Sequence, residues 1–146
     1  YIGGKKLSAG KRRKVVWYSS NDTGTQFFTT SVTEELLLHS DASSGRLEHA
    51  RTLLKTLGLY AYKETHPAAL SGGQKQRLSI ACGLLSGREI LLFDEPTSGL
   101  DGGNMRKIAA VLTVAAAEGK TIGVITHDKE LMQACCNFRW EFELSL

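Results

Sequence analysis

Two carboxylates stand side by side in Phe93-Asp94-Glu95-Pro96, directly after the apolar run Glu89-Ile-Leu-Leu-Phe93. Such a run reads as a parallel strand buried on both faces, and open α/β sheets gather ligands at the carboxyl ends of their strands. Backbone alternation turns neighbouring side chains to opposite faces. The two acids can therefore hold separate duties, Asp94 toward a metal ion and Glu95 toward a water. A solvated strand-end pair is the plainer reading of the dipeptide by itself. Upstream, Leu70-Ser-Gly-Gly-Gln74 has the S-x-x-Q spacing of a capping box with two glycines behind the cap. A helix that starts there presents unpaired N–H groups and a positive dipole end, which suits a phosphate. An ordinary capped helix with a glycine turn fits the same letters. His127 follows a second apolar run, Thr121-Ile-Gly-Val-Ile-Thr126. It falls at the same sheet edge, as a γ-phosphate contact or as a structural histidine.

These residues need elements to hold them. Lys14–Tyr18 reads as a strand, followed by a polar loop from Ser19 to Thr25. Ser31 and Glu34 have capping-box spacing ahead of Leu36-Leu-Leu38. Leu47, Ala50, Leu53, Leu54 and Leu57 repeat at helical spacing, and Gly58 can close that helix. The helix opened by Ser71 carries Leu78, Ala81, Leu84 and Leu85 on one face. A further helix runs through Met105, Ile108, Leu112 and Ala116, capped by Asp101 or Asn104 and ended by Gly119. Lys129–Cys136 is a short helix, and Phe138–Phe142 alternates like an edge strand. Strands alternating with helices predict an α/β fold with a largely parallel sheet. The helical region of residues 33–86 is expected to be an inserted subdomain, with 1–32 and 87–146 forming parts of the core.

Composition is compatible with this. The chain has 146 residues, 42% of them hydrophobic, and 18 Lys plus Arg against 15 Asp plus Glu. That length fits one compact domain, and a disordered, collagen-like or disulfide-scaffold chain is a poor fit. No apolar run approaches the roughly 18 residues that span a bilayer. The charge is uneven: Lys5, Lys6, Lys11, Arg12, Arg13 and Lys14 occur without one acid in the first 14 positions. A basic arm suggests nucleic acid, but these cations have no aromatic residues among them to stack on bases. A solvated turn before a strand is the expectation. Cys82, Cys135 and Cys136 suit neither a disulfide framework nor a CxxC metal site and read as reduced thiols.

Taken together, the motifs resemble one family. Leu70-Ser-Gly-Gly-Gln-Lys-Gln-Arg77 resembles the signature motif of ATP-binding cassette (ABC) ATPases, and Ile90-Leu-Leu-Phe-Asp-Glu95 their Walker B strand with its catalytic glutamate. Pro96 to Asp101 resembles the run into the D-loop, and His127 in Val-Ile-Thr-His-Asp the switch histidine. The segment from Asn21 to Glu35 is similar to the Q-loop region of the energy-coupling-factor and cobalt or vitamin importer branch, with Asn21 where the family has glutamine.

The resemblance implies a P-loop NTPase fold and an ATPase subunit of a transporter, an importer by the Q-loop segment. It would be peripheral on the cytoplasmic face of the cell membrane, with ATP and Mg²⁺ as ligands. Two cassettes would face head to tail. Leu70, Ser71, Gly72, Gly73 and Gln74 would then meet the γ-phosphate of a nucleotide held by the partner cassette. Glu95 would polarise the attacking water, Asp94 would hold Mg²⁺, and His127 would fix the γ-phosphate. The D-loop residues Ser98, Gly99, Leu100 and Asp101 would link the two sites, and residues 33–86 would touch an integral membrane subunit. Direct nucleic-acid binding is not expected. The other readings are a soluble ABC ATPase of nucleic-acid metabolism and a non-catalytic regulatory module.

The family's phosphate cradle is the Walker A loop, G-x-x-x-x-G-K-[ST]. Gly10-Lys11 is followed by Arg12, and Gly4-Lys5 by Lys6, so neither matches. The chain is accordingly read as the carboxyl-side part of a nucleotide-binding domain. By itself it is expected to bind ATP weakly or not at all.

Overall fold

Three short strands, β1 (Val16–Ser19), β2 (Ile90–Asp94) and β3 (Thr121–Ile125), make a parallel sheet in the order β1-β2-β3. Their arrangement comes from a computed structural model, which describes residues 2–22, 27–38 and 44–141. Trp17 pairs with Leu91 and Leu91 with Ile122; Ser19 pairs with Phe93 and Phe93 with Val124. This register puts Trp17, Leu91, Phe93, Ile122 and Val124 on one face, where they join the core. Parallel neighbours need long crossovers. The β1-to-β2 crossover holds α2 (Val32–Leu37), α3 (Ser44–Thr56), two 3-10 turns and α4 (Gly72–Leu85), and the β2-to-β3 crossover holds α5 (Gly102–Ala117). The expected α/β fold with a helical insertion between strands is therefore present.

The sequence reading overstated the burial of the strands. Leu92 on β2 is 39% exposed and Ile125 on β3 is 63% exposed, as is much of Tyr18 on β1. These side chains share the sheet face opposite the helices. A buried parallel strand is covered on both faces, whereas the described helices pack on one.

α4 departs from the one-sided helix that was expected. Every residue from Gln76 to Leu85 is buried, because α2, α3, α5, β1 and β2 all pack around it. Its approach to the sheet requires Gly83, where a Cβ would lie 2.8 Å from the Trp17 ring and 3.3 Å from Phe93. At the same seam the Ser19 and Ser79 hydroxyls meet at 2.6 Å, both residues buried.

Other boundaries also shifted. The basic cluster is not a plain turn: Ser8 accepts from Lys11 N and starts α1 (Ala9–Val15). Lys and Arg are good helix formers, and Arg12, Arg13 and Lys14 sit in the last turn, at the negative end of the dipole. Ser31 caps α2 as expected, but the Glu34 carboxylate turns outward to Thr30 N and its hydroxyl instead of closing the box. The neighbouring Glu35 is the buried acid, accepting from Phe28 N, Thr29 N and the Thr29 hydroxyl. In α3 Leu47 is 45% exposed while Ala50, Leu53, Leu54 and Leu57 are buried. α5 is capped by Asp101, and its apolar stripe ends on Ala115 rather than Ala116. α6 (Lys129–Cys135) forms as expected. Residues 138–141 form no strand, Phe138 and Trp140 standing in solvent, and Phe142 lies outside the described residues, as do positions 23–26 of the polar loop.

Candidate active site at the carboxyl ends of the strands

β2 ends in Asp94, and the chain then turns sharply at Glu95, whose φ of 47° is the only left-handed value among the described non-glycine residues. Such a conformation costs an L-residue about 1–2 kcal/mol and persists where surrounding contacts fix it. Here they do. Glu95 N donates to the Ile125 carbonyl at 2.8 Å, so the turn stays stitched to β3. The Glu95 carbonyl accepts from Ser98 N at 3.1 Å and from Gln76 Nε2 at 3.4 Å.

The Glu95 carboxylate is held by the segment after β3. His127 Nδ1 lies 2.8 Å from Oε1, His127 N donates to the same oxygen at 3.2 Å, and the Thr126 hydroxyl donates to Oε2 at 3.1 Å. The environments of the pair are unequal, the Glu95 side chain being 21% exposed and the His127 side chain 85%. A carboxylate facing Nδ1 selects the tautomer with the proton there, which leaves Nε2 toward solvent. A carboxylate has about four lone-pair sites, so one on Oε2 remains for a water.

Asp94 points elsewhere, as strand alternation requires, and its Oδ2 accepts from the Tyr18 hydroxyl at 3.3 Å. Among the described residues no group of three or more His, Cys, Asp or Glu could hold a metal ion. A single carboxylate is nevertheless a fitting hard-oxygen donor for Mg²⁺, which keeps several waters and takes the rest of its shell from phosphates. Asn21 lies just beyond β1 at the same sheet edge, exposed, with Oδ1 accepting from the Ser20 hydroxyl.

The glycine motif is built as a capped helix start. Ser71 Oγ accepts from Gln74 N, and Gln74 Oε1 accepts from Ser71 N at 2.8 Å. Ser71 and Gly72 are exposed; Leu70 is buried and anchors the turn. Gly73 is pressed against the loop after Glu95, since a Cβ there would lie 2.7 Å from Leu100 Cδ2. That loop has Ser98 and Gly99 exposed, then Asp101, whose Oδ1 accepts from Asn104 N at 2.8 Å. Hydrogen bonding from Asn104 holds the Asp101 carboxyl below its ordinary range. Arg77, one turn into α4, is 8% exposed, its Nε has no hydrogen-bond partner among the described residues, and burial works against its charge while Asp101 favours it.

The expected residues thus form two groups: Asp94, Glu95 and His127 at the sheet edge, and the Ser71–Gln74 turn with Ser98–Asp101. Gln76 and the Gly73–Leu100 contact join them. Sequence reasoning passed over Thr126, although it stands in the quoted run before His127. It also passed over Thr97, whose hydroxyl donates to Asp128 Oδ2 at 2.7 Å under the loop. Tyr18 gave no local signal; only the strand register brings it to Asp94.

A parallel sheet with an acid pair past its middle strand, a histidine one strand over and a capped glycine turn defines an α/β domain whose candidate site lies at the carboxyl ends of its strands. Residues 2–98 match the family model for ABC transporters, and the chain belongs to that family. It is 37% identical to a putative ABC transporter ATP-binding protein of Treponema denticola over 136 residues, which is 93% of this chain and 28% of the relative. The chain therefore spans little more than a quarter of the curated relatives it matches. A solved ATP-binding subunit of an ABC transporter superposes with a TM-score of 0.78 at 26% identity, over 92% of this chain and 58% of that one. Relatives named for a cargo include a macrolide export ATP-binding/permease protein of Mannheimia succiniciproducens, 46% identical over 62% of this chain and 14% of that one, and a putative HMP/thiamine import ATP-binding protein of Bacillus subtilis, 35% identical over 89% and 24%.

Proposed function

We propose that this chain is the catalytic-edge and signature part of an ATP-hydrolysing subunit that drives an ABC transporter. The observation that carries the reading is the Glu95 carboxylate, fixed by Thr126 and His127 with one lone pair open, at the end of the central strand. A carboxylate so placed can orient a water and accept its proton as the water attacks the γ-phosphate. Most of the catalysis is positioning and charge stabilisation of a loose phosphoryl-transfer transition state. His127 contributes Nε2 toward the γ-phosphate and steadies Glu95 through Nδ1. Asp94 would hold Mg²⁺, through a bound water; the ion supplies neutralisation of phosphate charge when bound. The exposed Ser71–Gly73 turn offers a hydroxyl and helix-start N–H groups to a nucleotide carried by a second cassette.

In this reading the partners are that second cassette and an integral membrane subunit, the latter met by the helical residues 33–86. The site is on the cytoplasmic face. No described helix is long and apolar enough to cross a membrane, so contact with the bilayer would come through the membrane subunit. Import is the direction we favour, from the likeness of the Asn21–Glu35 segment to importer Q-loops.

The test is phosphate release by the assembled transporter carrying Glu95→Gln. Turnover should fall by a factor of about 10²–10⁴, the range a general base contributes, with ATP binding kept. Unchanged turnover would overturn the assignment. Vesicle uptake against vesicle efflux of a labelled cargo decides the direction.

A further inference from the structure

Gln76 opens the wholly buried stretch of α4 and is itself only 6% exposed. A primary amide taken out of water costs free energy unless a partner receives its hydrogen bonds. Gln76 Nε2 donates to the Glu95 carbonyl at 3.4 Å, joining α4 to the turn that follows β2. The bond is longer than the usual N–H···O range, so its share in stability is small. What it touches gives it weight.

Three contacts hold the backbone of Glu95 in its left-handed conformation. Glu95 N donates to the Ile125 carbonyl at 2.8 Å, which ties the entry of the turn to β3. The Glu95 carbonyl has two lone pairs and accepts from Ser98 N at 3.1 Å as well as from Gln76. With N and C=O both held, the Cα–Cβ bond has one direction, and the carboxylate it carries meets Thr126 and His127. Ser98 is exposed and belongs to the same loop as the carbonyl it serves, so by itself it closes the turn without fixing the turn to anything rigid. Gln76 does the fixing: among the described residues it is the one side chain that bonds the Glu95 backbone, and it stands on a helix packed by α2, α3, α5, β1 and β2. A second grip of the same helix on the same loop lies beside it, where Gly73 leaves room for Leu100.

We propose that Gln76 is a positioning residue for the Glu95 base. It holds the Glu95 carbonyl against α4 and thereby aims the carboxylate at the attacking water. The role rests on the ATPase reading above and adds a residue to it. Gln76 acts through Glu95 alone, so its loss lowers the rate of the chemical step and leaves nucleotide affinity as it was.

Gln76→Met tests this in the assembled transporter, since it keeps an unbranched side chain of similar length and removes the donor. The kcat for phosphate release should fall about 10-fold, less than the 10²-fold that a 1 Å misplacement can cost, with KM for ATP unchanged. Placed beside Glu95→Gln, the same substitution should cost no further turnover, because the carboxylate it aims is gone. A merely structural amide would lower turnover on both backgrounds alike. Thermal melting of the variant checks folding, and Gln76→Leu makes the same comparison if Gln76→Met unfolds. Parental kcat in the Gln76→Met transporter, a raised KM at unchanged kcat, an equal loss on the Glu95→Gln background, or unfolding of both Gln76 variants would overturn the positioning role. Each of these leaves the ATPase reading standing, which falls only if Glu95→Gln itself turns over ATP at the parental rate.

Discussion

His127 Nδ1 sits 2.8 Å from Glu95 Oε1, across the gap between the end of β3 and the turn that follows β2. The contact joins two strands that the chain separates by a whole helix, and it orders the carboxylate on which the proposed chemistry turns. Thr126 holds the other oxygen, so removing either donor leaves Glu95 partly tethered. His127→Ala should reduce ATP turnover of the assembled transporter more than Thr126→Val, because only His127 also reaches outward. Steady-state phosphate release with both variants measures the order.

Glu95 also stores backbone strain. Gly normally weakens a structured position relative to Ala by about 0.5–1 kcal/mol, but at φ 47° the sign should invert. Glu95→Gly and Glu95→Ala lose the same carboxylate contacts and differ in the cost of the left-handed turn. The glycine variant is expected to be about 1 kcal/mol the more stable in urea unfolding; an alanine variant equal or better would show that the turn relaxes.

Two glycines mark contacts of different stiffness. Gly83→Ala drives a methyl against the Trp17 ring between helix and sheet, so a loss of about 1–3 kcal/mol is expected. Gly73→Ala presses on the tip of Leu100, which can turn aside, and meets Arg77 Nη1 only at an ordinary contact distance of 3.8 Å. Its stability should change by less than about 1 kcal/mol, while the joint between the two site loops loosens. Denaturant midpoints compare the pair directly.

Acid should weaken the fold through its helix caps. The N–H of Leu131 and the hydroxyl of Thr97 hold Asp128 below its usual carboxylate range, and Asn104 does the same for Asp101. A lowered folded-state value means stability that is complete above the unfolded value near 3.9 and is lost as pH falls through the folded one. Asp128→Ala should cost about 1 kcal/mol at neutral pH and flatten the decline below about pH 4. Melting temperature against pH for both chains tests this.

Much of the site was legible because its residues are local. Ser71 to Gln74, Asp94 to Glu95 and Asp101 carry their own capping or strand-end signals, and all stand where spacing put them. The partners were less legible. Tyr18 meets Asp94 only through the β1–β2 register, and the burial of α4 on all sides follows from five neighbours that no helical period encodes. The open sheet face is not written in the strand runs themselves: an apolar run states that a strand can be covered, not whether anything covers it. α1 is hard to see in the sequence because the density of like charge masks the modest helix signal of Ser8 and the Lys-Arg run.

The hydroxyl pair of Ser19 and Ser79 bears on how the chain finds its alignment. Leu, Ile and Phe would tolerate α4 sliding along β1, since apolar contacts are not directional. Two buried hydroxyls 2.6 Å apart face each other in one alignment, and a one-residue slip of β1 within the sheet would carry Ser19 to the opposite face and break that contact, at about 0.5–1.5 kcal/mol for a hydrogen bond. The pair works as a key cut for a single lock position. By fixing how far β1 extends, it also fixes where Asn21 emerges relative to Asp94 and Glu95.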